Sequence, residues 1–171
     1  MTASLADRTT VVRRIGVTGH IRLSDGSDAL VFDALLTVLR QYPDVALHGV
    51  TCLAQGADQI FARAVLAMRG TFEVILPADD YRERVVAPDN LASFDDLIDR
   101  AVTVRRMPYR RSGQPAYLAA SLAMLERCDA LIAIWDGHPS QHPGDTADVV
   151  AAARHRHLPV TVLWPTGADR Q

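Results

Sequence analysis

Between Val11 and Pro165 the apolar positions alternate between two rhythms: short solid runs, and spacings of three and four residues. Solid runs of four to eight residues read as buried strands, and the wider spacing reads as one face of a helix. Arg14-Ile15-Gly16-Val17-Thr18 predicts a first strand, followed by a turn-rich stretch from Gly19 to Ser27. Leu30, Val31, Ala34, Leu35, Val38 and Leu39 share a helical face, which Tyr42-Pro43-Asp44 stops. Val45 to Cys52 predicts a second strand, and Ala57, Ile60, Phe61, Ala64, Val65 and Met68 a second helix closed by Gly70. Phe72 to Leu76 predicts a third strand ended by Pro77, and Asp79 to Asp89 is charged and irregular. Leu91, Phe94, Leu97 and Ile98 suggest a short helix, and Ala101 to Arg105 a fourth strand. After a polar loop from Arg106 to Pro115, a helix is expected over Ala116 to Arg127 and a strand over Ala130 to Trp135. A Gly/Pro/His loop from Asp136 to Asp145 leads to a helix over Thr146 to His157 and a last strand over Pro159 to Trp164.

The run Ala130-Leu131-Ile132-Ala133-Ile134-Trp135 is apolar on both of its faces, as in strands covered by helices above and below. Repeated strand–helix units of this kind predict an α/β fold: a Rossmann-like three-layer sandwich with a doubly wound, mostly parallel sheet. With no internal repeat or linker, residues 1–171 are expected to form one domain, with 1–10 and 166–171 as flexible tails.

Composition narrows the chemistry. All 18 basic residues are Arg, which excludes a Walker-type phosphate loop, a Schiff-base lysine and a lysine nucleophile. Of 20 acidic residues only Glu73, Glu83 and Glu126 are glutamates. A net charge of −2 gives no global reason to expect nucleic acid as a partner. No apolar run approaches the roughly 18 residues of a membrane helix, and the N-terminus lacks the apolar segment of a secretory signal. Cys52 and Cys128 form neither a disulfide framework nor a zinc spacing, so a reducing cytoplasm is the expected compartment.

In a doubly wound sheet, ligands bind beyond the carboxyl ends of the strands. Four loops at that edge carry small polar residues: Thr18-Gly19-His20-Ile21-Arg22, Gln55-Gly56-Ala57-Asp58, Pro77-Ala78-Asp79-Asp80-Tyr81, and Trp135-Asp136-Gly137 continuing to Gly144-Asp145-Thr146-Ala147-Asp148. Gly19, Gly56 and Gly144-Asp145-Thr146 each lie between a strand and a helix. Open backbone N–H groups there would hold an anion with help from the helix dipole. Each such contact is worth about 0.3–1 kcal/mol at an exposed site, so several converging loops could bind phosphate without lysine. Turn glycines and caps are the plainer reading of any one loop. The chain has no GxGxxG, which argues against a standard dehydrogenase, and no cofactor is expected.

The stretches Ile15-Gly16-Val17-Thr18-Gly19-His20, Gly56-Ala57-Asp58, Leu125 through Gly137, Gly144-Asp145-Thr146 and His157-Leu158-Pro159-Val160 together resemble the SLOG superfamily. This Rossmann-like group includes the DNA-processing protein and the lonely guy phosphoribohydrolases. Nucleoside 2-deoxyribosyltransferases share the C-terminal pattern. The resemblance implies a nucleotide or nucleotide-derived ligand at the strand ends. The phosphoribohydrolases carry PGGxGTxxE, in which glycines and threonine hold phosphate and the glutamate acts at the glycosidic bond. This chain keeps Gly144 and Thr146, but the glutamate position is Val149. The nearest carboxylate, Asp148, is one residue early, about 100° away around the helix. Ala120 stands near the place of the hydrolases' arginine. A displaced catalytic acid or base costs on the order of 10²–10⁴ in rate.

Other clusters have two readings. His138 and His142, with Asp136 and Asp145, could hold a metal, but their prolines rule out a helix to align them, and no metal is expected. His155 and His157 suit a helix C-terminus. Cys52 is expected as a buried thiol. Arg105, Arg106, Arg110 and Arg111 could form a lid over phosphate or a patch for single-stranded nucleic acid. The Ala116, Ala119, Ala120 and Ala123 face offers a flat contact for a second copy, so a homodimer or higher oligomer is expected.

The expected function is binding or sensing of a nucleotide-like, phosphate-bearing small molecule without clear catalysis. Its ligand-binding residues would be Thr18, Gly19, His20, Arg22, Gln55, Gly56, Asp58, Pro77, Asp136, Gly137, Gly144, Asp145 and Thr146. The alternative is cleavage of an N-glycosidic bond by a phosphoribohydrolase or deoxyribosyltransferase, with Asp148 or Glu83 replacing the glutamate. A further alternative is single-stranded DNA binding. No membrane is expected as a partner.

Overall fold

The computed structural model describes residues 11–43, 45–139 and 144–171. Residues 1–10, position 44 in the first helix stop, and His142 with Pro143 of the metal reading lie outside them. Six strands form one sheet: β1 (Val12–Gly19), β2 (Ala46–Thr51), β3 (Thr71–Leu76), β4 (Thr103–Arg106), β5 (Ala130–Ile134) and β6 (Val160–Leu163). Its order is β4-β3-β2-β1-β5-β6, with every pair parallel. The chain works outward from β1 to the β4 edge, then returns to place β5 against the other side of β1. The reversal falls between β1 and β5, where a crevice opens in folds of this class.

The helices are α1 (Ser27–Leu39), α2 (Ala57–Ala67), α3 (Tyr81–Arg84), α4 (Leu91–Arg100), α5 (Gln114–Leu125) and α6 (Thr146–His155). One core layer joins Val31 and Leu35 of α1, Phe61 and Val65 of α2 and Phe94 of α4 to Ile15, Val17 and Ile132 of the sheet. The opposite layer joins Ala120 and Met124 of α5 and Val149 and Ala153 of α6 to Val50, Ile75 and Leu131. Alternate residues of one strand thus feed different layers, which explains why the strands are apolar throughout. Close packing of α5 depends on Gly16, because a Cβ there would stand 2.5 Å from the Met124 sulfur and 2.9 Å from that of Cys128.

Among the described residues no helix is long and apolar enough to cross a membrane. α3 and a 3₁₀ turn at Pro88–Asn90 occupy the stretch expected to be irregular. Of the alanine face proposed as a contact for a second copy, Ala116 and Ala120 are buried and Ala119 and Ala123 half-buried, while Tyr117 and Leu118 of the same helix are exposed. Segment 166–171, marked as a tail by its sequence, is tied to the loop after β1. Leu23 and Arg170 form an antiparallel bridge, Ser24 N–H donates to the Asp169 carbonyl at 2.9 Å, and Asp169 N–H donates to Ser27 Oγ at 2.9 Å.

The loop from β2 to α2 turns at Gly56, with φ 83° and ψ −122°. A Cβ on Gly56 would meet the carbonyl oxygens of Ile21 at 2.3 Å and His20 at 2.7 Å. Gly56→Ala therefore combines a backbone conformation reserved for glycine with a clash against main chain. It is expected to destabilise the fold by about 2–3 kcal/mol, read as a lower urea midpoint at unchanged m value.

Candidate functional site

A cavity of about 880 Å³ lies beyond the carboxyl ends of β1 and β5, at the chain reversal. Of the residues expected there, Thr18, Gly19, His20, Arg22, Asp58, Pro77, Gly144, Asp145 and Thr146 line it. Gln55 and Gly56 face a neighbouring hollow instead. Asp136 and Gly137 are not in the lining; Asp136 stands behind His20 and Gly137 is exposed. Sequence reasoning placed Tyr81 in an edge loop but missed the other apolar lining residues, which include Val85, Tyr117, Met124 and Val149. Helical spacing in α5 and α6 could have signalled Met124 and Val149.

His20 Nε2 lies 3.2 Å from Asp136 Oδ1 and 3.3 Å from the Asp136 amide nitrogen. Burial lowers the His20 pKa and outweighs the Asp136 carboxylate, which favours the cation. Nε2 stands within hydrogen-bond reach of both the carboxylate and the amide of Asp136. The edge of the His20 ring meets the Trp164 ring at a centroid distance of 5.2 Å. Asp136 also pairs with Arg170 at 2.8 Å and His138 at 3.2 Å. Burial works to raise its pKa, but the His138 amide, His20 and Arg170 hold it below the usual carboxylate range.

Asp58, in the first turn of α2, is 6% exposed. Its Oδ2 accepts the Thr51 hydroxyl at 3.1 Å and the Ala54 N–H at 3.3 Å, while Thr51 Oγ1 accepts the Leu53 N–H at 2.9 Å. Burial raises its pKa to about 6 despite these donors. Cys52 beside it is a neutral thiol, its pKa pushed far up by burial and by Asp58. Both cysteines are free.

Some amides expected to await an anion are already engaged. Ala57 N–H donates to the His20 carbonyl at 3.1 Å, fastening α2 to the loop after β1. Gly144 N–H donates to Asp148 Oδ2 at 2.7 Å. Asp148 is exposed and outside the cavity lining, whereas Val149, one residue on, faces the cavity. Glu83 is exposed on α3 and likewise outside the lining. Neither carboxylate proposed as a stand-in for the glutamate is part of the cavity lining, although Asp148 touches it through Gly144. Of the metal reading, His138 Nδ1 lies 3.2 Å from Asp136 Oδ2, while His142 lies outside the described residues; among those described no group of three or more metal-binding side chains occurs. The arginine loop is held down where Asp79 N–H donates to the Tyr109 carbonyl at 2.9 Å and Ser112 donates its N–H and hydroxyl to Asp80 Oδ1. Arg105 turns to Glu73, away from the cavity lining.

Sheet order and crevice define the class: a Rossmann-like α/β domain with a small-molecule-sized hollow at its switch point. No model of a known family matches the chain, and no curated protein matches it in sequence. Solved structures do. DNA processing protein A from Streptococcus pneumoniae is similar at a TM-score of 0.63 and 14% identity, over 88% of this chain and 50% of that one. The same protein from Helicobacter pylori, solved for its single-stranded DNA binding mode, gives 0.61 and 12% identity over 92% and 68%. TM1055, a structural genomics target, gives 0.55 and 15% over 86% and 72%. The chain thus spans half the length of the pneumococcal protein. At identities of 12–15% these likenesses show a shared fold, the Rossmann-like α/β architecture expected from the sequence.

Proposed function

We propose that the chain binds a nucleotide or nucleotide-derived molecule in the crevice beyond β1 and β5, and that binding is its task. One observation carries this reading: the cavity lining combines polar groups at Thr18, Gly19, His20 and Thr146 with the apolar side chains of Tyr81, Tyr117 and Met124, and has Val149 where the hydrolases its sequence resembles place their glutamate. The polar groups suit phosphate and ribose, and the aromatic side chains suit a base. The free thiols Cys52 and Cys128 suit the cytoplasm as the place of work.

Asp148 separates binding from catalysis. Its carboxylate occupies the Gly144 N–H, which an incoming phosphate would need. Asp148→Ala is expected to tighten AMP binding about threefold to tenfold, measured by calorimetry, by removing a competing anion. It should release no adenine from AMP. A catalytic role predicts base release by the natural chain and its loss in the variant.

Single-stranded nucleic acid is the second reading. The likeness to the Helicobacter pylori protein favours it, as do the arginines of β4 and the following loop. A gel shift that weakens steeply with salt and is lost on changing Arg110 and Arg111 would establish it.

A further inference from the structure

β4 lies at one edge of the sheet and is exposed at all four of its positions, whereas β6 at the other edge is half-buried at both ends. The register with β3 sets Val104 beside Val74 and Arg106 beside Leu76, and Val74 and Leu76 belong to the core layer that holds α4. Side chains alternate along a strand, so Val102, Val104 and Arg106 point to the α4 side. Val102 is 57% exposed and Val104 39%, an apolar pair at a margin that neither helix layer covers. Main-chain groups alternate too. Val102 N–H donates inward to the Phe72 carbonyl at 2.9 Å. The N–H and C=O groups of Thr103 and Arg105 therefore face outward, where no further strand follows.

An open edge is a template for another strand, and charged side chains are the common guard against it. Here the charges do not guard the edge against the chain itself. Arg105 turns back to Glu73 on the α5 side. Arg106 has no ion-pair partner among the described residues, and neither has Asp99, exposed in the last turn of α4. Antiparallel pairing of two copies about Val104 sets Val104 against Val104, Thr103 opposite Arg105 and Arg106 opposite Val102. Thr103 and Arg105 then exchange the main-chain bonds they hold outward, and the valines meet at the closer spacing, about 4.5 Å between Cα atoms. No like charges stand directly opposite each other. Arg106 of one copy comes to the end of β4 that follows Asp99 in the other, so each unpaired ion is offered its opposite.

We propose that the β4 edge is the docking surface for a second copy of this chain, the two β4 strands pairing antiparallel to make one continuous sheet. The proposal does not depend on what the crevice binds. A strand of four residues buries less than the roughly 800 Å² per partner of a standard interface, so the dimer is weak and dissociates at about 10–100 μM. Sedimentation velocity on the whole chain, over concentrations that bracket this value, reads the equilibrium. Thr103→Pro removes an outward N–H and leaves the bonds to β3 in place; it should weaken the dimer about tenfold or more. Arg106→Asp should weaken it about threefold to tenfold, and Arg106→Asp/Asp99→Arg should restore it, because the exchanged charges meet again. The charge exchange decides the matter if Thr103→Pro also lowers the melting temperature. A chain that stays monomeric at every concentration overturns the proposal. So does a dimer that Arg106→Asp, or a fully folded Thr103→Pro, leaves unchanged, or a double variant no tighter than Arg106→Asp alone.

Discussion

Glu73→Gln is expected to lower the melting temperature of the chain by roughly 5–15 °C, a larger loss than an exchange at any of its exposed ion pairs. Glu73 sits within β3, 2% exposed, on the layer covered by α5 and toward the amino ends of the strands. Arg127 donates to both of its oxygens at 2.9 and 3.1 Å, Arg14 pairs with Oε1, Arg105 reaches Oε2 at 3.5 Å, and His48 Nε2 lies 3.6 Å away. Burial alone would raise the Glu73 pKa; the hydrogen bond and charge of Arg127, helped by Arg14 and His48, outweigh it and hold the carboxyl below its usual range. Removing the one negative charge leaves three guanidiniums crowded together around an amide. Breaking a buried pair costs about 3–5 kcal/mol, but these arginines are a third to a half exposed and solvent screens them, so about 2–4 kcal/mol is expected.

The pH dependence has a definite sign. A carboxyl whose folded pKa is depressed contributes stability above its unfolded pKa, near 4.5, and that contribution disappears as pH falls through the lower folded value. His48, whose pKa is lowered by burial and by Arg14, adds an earlier loss that begins as pH falls below about 6.5. Glu73→Gln should therefore flatten the acid limb of a stability–pH curve recorded by circular dichroism. In an Arg127→Ala background the cost of Glu73→Gln should shrink, because the two residues share one network. An unchanged melting temperature would show that the arginines are solvated independently of Glu73.

This cluster also shows where the sequence stops being informative. The strands and most helices follow from apolar rhythm alone, because each β segment feeds both layers and each long helix shows one of them a continuous face. The β1 and β5 loops could be assigned to one edge because parallel strands put all carboxyl ends on the same side. A lone glutamate inside Thr71-Phe72-Glu73-Val74-Ile75-Leu76 does announce a buried charge that must find cations. Its partners come from β1, β2, β4 and the end of α5, so no local spacing names them.

The candidate site divides in the same way. Thr18, Gly19, His20 and Thr146 were legible because strand ends followed by glycine and threonine mark helix entries. Gly56 was legible as a turn, but its role is to wedge the α2 entry against the loop after β1. The helical phase that separates Asp148 from Val149 was legible too, and it places the valine in the cavity wall. Asp136 was expected among the ligand-binding residues, yet its carboxylate faces His20, His138 and Arg170. Arg170 could not be assigned from sequence, since nothing in a polar C-terminal segment announces an antiparallel bridge to Leu23.

Asp58→Asn is expected to act in the opposite sense to Glu73→Gln and to stabilise the fold at pH 7. Asp58 is as deeply placed as Glu73 but has no cation beside it; its partners are the Thr51 hydroxyl and backbone N–H groups. Burial therefore wins, and its pKa stands at about 6 against 3.8 in the open chain. A group whose folded pKa is raised contributes stability below its unfolded pKa and loses it as pH rises through the folded value. The natural chain should thus weaken between about pH 4 and pH 6, by up to about 3 kcal/mol at pH 7. An asparagine carbonyl can accept the same two donors without the charge, although its NH₂ gains no assured partner in exchange. The net gain should be about 1–3 kcal/mol at pH 7, a rise of roughly 3–9 °C in melting temperature, and should fade toward pH 4. Asp58 also lines the cavity, so a role in ligand binding would account for such a cost. Titrating AMP into the same variant examines that second half of the argument: an altered affinity ties the carboxyl to the ligand. A variant less stable than the natural chain at pH 7 would instead make Asp58 a structural anchor of the loop after β2.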